Sequence, residues 1–93
     1  MINIDTKKIR KCGSDIIRLS NDLNYIIELV YNRLIDMPTK TGEWRGKSAD
    51  RYANLVKKDK DQAVDLKNIL YNYGKTLIDN ADKYDEITNQ MIL

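Results

Sequence analysis

Cys12 is the one thiol in this sequence, and the 93 residues contain no histidine that could activate it. The cations nearest to it are lysines and arginines, which supply no base, so a free thiol here behaves as a small apolar side chain. Without imidazole the chain also lacks the commonest general base and the commonest metal ligand. A lone Cys forms neither an internal disulfide nor a multi-cysteine zinc site. Asp79, Asp82, Asp85 and Glu86 crowd together, yet a calcium loop needs a Gly-containing turn with alternating ligands, and this stretch has a helical pattern. Acids near a helix C-terminus oppose its macrodipole, and the expected result is an end that frays alone and orders against a partner. Tyr25, Tyr31, Tyr52, Tyr71, Tyr73 and Tyr84 read as seam-edge packing with hydroxyls in water rather than as a base-stacking platform. Lys7, Lys8, Arg10 and Lys11 are diluted by Asp5 and Asp15, and Lys57, Lys58, Asp59, Lys60 and Asp61 alternate in sign like a solvated helix face. No catalytic, cofactor or metal constellation is visible, and the expectation is a non-enzymatic protein without a nucleic-acid partner.

Composition agrees with that expectation. Sixteen Lys+Arg against 14 Asp+Glu leave a formal charge of +2, with 42% hydrophobic and 32% charged residues. Such a chain is one small domain, too apolar for a disordered tail. No stretch approaches the ~18 uncharged apolar residues of a transmembrane helix, so no integral membrane segment is expected. Met1 to Lys8 does not read as a secretory leader, and any export is expected to need no cleaved signal peptide.

Turn chemistry concentrates in one place. Pro38, Gly42 and Gly46 lie between Met37 and Lys47, and Pro38 disfavours helix at the residue before it. Upstream, Ile9, Ile16, Leu23, Val30 and Met37 recur every seven residues, with Cys12, Leu19 and Ile26 as a companion track offset by three. Downstream, Val56, Ala63, Leu70, Leu77, Tyr84 and Met91 repeat the pattern, with Tyr52, Leu66, Tyr73 and Ile87 as companions. The reading is all-α: a helix over about 5–37 capped by Asp5 or Thr6, a turn over about 38–47, and a helix over about 48–89 with Ser48 as N-cap. A short polar link folds two such helices into an antiparallel hairpin. The packing seam is expected to use Ile9, Cys12, Ile16, Leu19, Leu23, Ile26 and Val30 against Tyr52, Val56, Ala63, Leu66, Leu70, Tyr73, Leu77 and Tyr84. Reversal near residue 43 sets Gly13 opposite Gly74, a pairing that suits a close backbone crossing. Arg33 and Asp59 interrupt the companion tracks and are expected either to pair or to face water.

One seam does not use all the apolar residues. Ile17, Ile27, Leu34, Leu55, Val64, Ile69 and Ile78 fall beside or beyond it, more than an isolated pair of helices can cover. A second hairpin, giving a four-helix bundle, would bury them.

The turn itself carries Trp44, Arg45 and Gly46. Trp offers a large surface able to wedge two helices at their junction, and Gly leaves room and conformational freedom beside it. Trp-x-Gly midway along a chain of this length, between two heptad-patterned helices, resembles the WXG family, the small early-secreted-antigen-like proteins of type VII secretion systems. The segment from Gly42 to Tyr52 carries the resemblance, with Ala49 and Tyr52 matching the small and aromatic residues that open the second helix. The resemblance implies homo- or heterodimeric four-helix bundles and export, without a cleaved signal, by a membrane ATPase. It also implies a bipartite signal, of which Trp44 and Gly46 would supply one half. The chain would be cytoplasmic before export and then secreted or at the cell surface. One departure is clear. The family's tail places an acid four residues after an aromatic, whereas Tyr84 is followed there by Thr88, Tyr73 by Leu77 and Tyr71 by Lys75. That favours an accessory role, binding the N-terminal helical domain of a larger LXG-type effector, over a secreted homodimer. A structural coiled-coil module unrelated to secretion is the competing class.

Overall fold

Asp5 opens the first helix: its carboxylate accepts the Lys8 amide at 3.1 Å and its carbonyl accepts the Ile9 amide. This is N-capping, which satisfies amides that the first turn leaves without a partner. The computed structural model describes residues 4–41 and 46–92. Two α-helices make up the fold, α1 (Thr6–Thr41) and α2 (Lys47–Ile92), packed against each other as a hairpin. The all-α hairpin expected from the heptad pattern is the observed architecture.

Three helix limits differ from expectation. α1 does not stop at Met37 but runs through Pro38 to Thr41. Proline's fixed φ is compatible with a helix, and placed in the last turn it forfeits one backbone bond of a helix already propagated from upstream. α2 begins one residue before Ser48, and the cap is Gly46: its carbonyl accepts the Asp50 amide at 3.1 Å and its φ is +74°. Glycine reaches that left-handed conformation without the steric penalty other residues meet. At its far end α2 extends to Ile92.

The chain forms two compact units. One joins the start of α1, through Asn21, to α2 from Asn68 onward; the other is residues 22–67. In the first unit Gly13 and Gly74 meet. A Cβ built on either would lie 2.7 Å from the other's carbonyl oxygen, so the two backbones touch as the register predicted. Around them Ala81 is 1% exposed, and Ser20 is fully buried, its hydroxyl donating to the Ile17 carbonyl at 2.9 Å. Because Ser20 satisfies its hydroxyl within its own helix, it can occupy a dry seam at little cost. In the second unit the buried residues are Ile27, 4% exposed, and Val56.

Candidate functional site

The seam does not follow the expected companion track. Val56 is buried, while Ile9, Ile16, Leu23, Tyr52, Ala63, Leu70, Leu77 and Tyr84 are half-buried. Cys12, Leu19, Ile26, Val30, Leu66 and Tyr73, all expected in the seam, are exposed. The buried positions on α1 are Gly13, Ser20 and Ile27, and on α2 they include Gly74 and Ala81. These lie four residues after the first track rather than three. The physical reason is size. Gly13, Ser20, Gly74 and Ala81 have almost no side chain, so turning them inward brings the helices together and buries backbone as well as side chains. Leu19, Ile26, Leu66 and Tyr73 would hold the helices apart at the same place.

This choice gives each unit two unlike flanks. On a helix, a residue three after the first track and one four after it diverge by about 100°. In an antiparallel pair, turning both helices by that angle in the same sense brings both displaced tracks to one side. In the first unit Cys12 and Leu19 of α1 therefore share a flank with Ile69 and Tyr73 of α2, with Leu19 59% and Tyr73 58% exposed. A groove of about 300 Å³ on that side is lined by Ile4, Ile9, Leu77, Asn80, Ala81 and Tyr84. In the second unit Ile26, Leu29, Val30 and Met37 of α1 and Leu55 and Leu66 of α2 are likewise exposed. Each unit thus exposes several large apolar side chains at helical spacing.

Ion pairs gather elsewhere. Arg10 of α1 pairs with Asp82, at 2.8 Å, and with Asp85 of α2 in the first unit, and Lys60 pairs with Glu28 at 3.1 Å in the second. Hydrogen bonds to Asp85 and then Asp82 hold the Arg10 guanidinium even more firmly charged than usual. Arg10, and after it the Thr6 hydroxyl, holds the Asp85 carboxyl below the ordinary carboxylate range. Lys11 does the same for Asp15, which also accepts a bond from Arg18 at 3.1 Å. Arg33 and Asp59 are both exposed, and the described ion pair joining the helices in their unit is Lys60–Glu28 instead.

No family model, curated protein or solved structure matches the chain. The turn motif is described only at Gly46, since Trp44 lies outside the described residues. Among the described residues no helix is long and apolar enough to cross a membrane. Sequence reasoning missed the Arg10 contacts and the buried Ser20. The second was detectable: a Gly13–Gly74 crossing already implies that the seam passes through the fourth residue, and Ser20 lies seven after Gly13.

Proposed function

We propose that this chain is a non-enzymatic helical partner of a type VII secretion system, binding the N-terminal helical domain of a larger LXG-type effector and helping to target it for export. The observation that carries the reading is that each unit, taken by itself, exposes large apolar side chains: Leu19, Ile69 and Tyr73 in one, Ile26, Val30 and Leu66 in the other. These side chains keep heptad spacing although they are not used inside the hairpin. A helix pair from a second protein completes them into a four-helix bundle, in which knobs of this size fill holes on the facing helices. Trp44 and Gly46 at the turn, followed by Ala49 and Tyr52, supply the resemblance to the WXG family on which the secretion part of the reading rests. The absence of the aromatic–acid spacing from α2 favours the accessory role, in which another chain provides the tail, over the secreted homodimer. In this reading the bundle forms in the cytoplasm and meets the export ATPase there.

Two variants test the parts separately. In a host carrying the system and its effector, Leu19→Asp with Tyr73→Asp breaks the pairing surface, and Trp44→Ala leaves it intact. The expected outcome is that the first loses the complex and export together, while the second keeps the complex and loses export. A Trp44→Ala variant that destabilises the hairpin and leaves export per folded molecule unchanged would favour the structural module instead.

A further inference from the structure

The two helices are unequal, and the difference falls at one end. Counting seven residues in each direction from the Gly13–Gly74 crossing sets Thr6, where α1 begins, level with Ala81. α2 continues from Asp82 to Ile92 past that point, with no further turn of α1 to lie against. At ~1.5 Å per residue the overhang is roughly 16 Å long. Its last turn carries no basic residue to offset the helix dipole. Ile87 is exposed, and Tyr84, Asp85 and Thr88 are only half-buried. Past Ala81 the described apolar neighbours are Ile4 and Ile9, beside Tyr84.

Arg10 reaches this segment from the second turn of α1. Its Nε donates to Asp82 at 2.8 Å, one terminal nitrogen donates to Asp85, and the other lies 3.5 Å from the Thr6 hydroxyl oxygen. Thr6 thus stands beside the fork, and its hydroxyl, after Arg10, helps to hold the Asp85 carboxyl below the ordinary range. A planar guanidinium forking to two carboxylates one helical turn apart fixes direction as well as distance, which a lysine cannot do. We propose that Arg10, with Thr6, is a releasable latch that keeps the overhanging end of α2 helical in the free hairpin, through Asp85 and Asp82. The latch is ionic and partly exposed, so dissolved ions or a competing cation on a partner open it without disturbing the glycine crossing. This inference does not depend on the secretion reading.

Amide hydrogen exchange of the full chain at low ionic strength tests it. Arg10→Met and, independently, Asp85→Asn are expected to speed exchange over residues 86–92 by about three- to tenfold, as loss of a charge-assisted fork implies. Exchange around residues 13–20 and 74–78 stays unchanged. Arg10→Lys, with charge but no fork, falls between, and 0.5 M salt moves the wild type toward Arg10→Met. Unchanged exchange over residues 86–92 in both variants would overturn the latch. So would an equal acceleration throughout both helices, which would make Arg10 a general support of the hairpin.

Discussion

Replacing Gly13 with Ala sets two well-measured effects against each other. In an ordinary helix interior Ala is better than Gly by about 1 kcal/mol, so propensity alone predicts a more stable protein. Here the new Cβ would lie 2.7 Å from the Gly74 carbonyl oxygen and 2.8 Å from Ile78 Cγ1. The Ile78 atom can move aside with its side chain. The carbonyl is backbone and moves only with α2, and it is roughly 0.7 Å short of ordinary contact. Parting the helices also loosens the packing of Ser20 and Ala81, which owe their burial to this approach. Overpacking of this kind costs about 1–3 kcal/mol, and separation of two backbones belongs at the upper end. Net of the propensity gain, the loss is about 2 kcal/mol. For a chain of this size that lowers the melting midpoint by roughly 8–16 °C. Thermal unfolding followed by circular dichroism at fixed protein concentration reads the shift, with exposed Ser14→Ala as a neighbouring control. A midpoint equal to or above wild type would refute the glycine crossing.

Gly46→Ala places a side chain at φ +74°, with no atom within 4 Å of the new Cβ, so backbone strain acts by itself; a loss of roughly 1 kcal/mol is expected in the same melts. Val56→Ala removes a buried side chain from the second unit and is expected to cost about 2 kcal/mol, whereas Leu55→Ala beside it, exposed, changes stability by less than about 0.5 kcal/mol. Acid acts on Asp85. Its carboxyl is held below the ordinary range, so its contribution is complete above about pH 4 and is lost as the pH falls through the lowered folded value. Helical signal from the end of α2 is therefore expected to decline in acid, and Asp85→Asn removes that step; an identical acid profile in the variant would contradict it.

The fold was legible because its signals are local and repeated. Seven-residue spacing over two long segments, with Pro and Gly gathered between them, leaves few alternatives to a hairpin. Even the register could be read: reversal near residue 43 sets Gly13 opposite Gly74, and the two backbones meet there. The seam was harder. Cys12, Leu19 and Ile26 form a more apolar track than the buried Gly13, Ser20 and Ile27, so hydrophobic periodicity points to the wrong one of two adjacent tracks. Size decides it, through Gly13, Ser20, Gly74 and Ala81, and a hydrophobicity pattern does not register size. Arg10, Asp82 and Asp85 escaped for another reason: sequence shows three charges among many, and only the helix lengths and crossing point bring them together. The Pro38 break was overread, because a preference against helix at one residue yields to a helix already formed.

Sedimentation equilibrium at micromolar concentration, with the chain alone and mixed with the helical N-terminal domain of an LXG-type effector, tests most directly whether the exposed flank serves a second molecule. The wild type is expected to form a complex in which Leu19 and Tyr73 are covered, and Leu19→Asp with Tyr73→Asp is expected to stay fully helical yet sediment as a monomer. A wild type that remains monomeric in both samples would contradict the account.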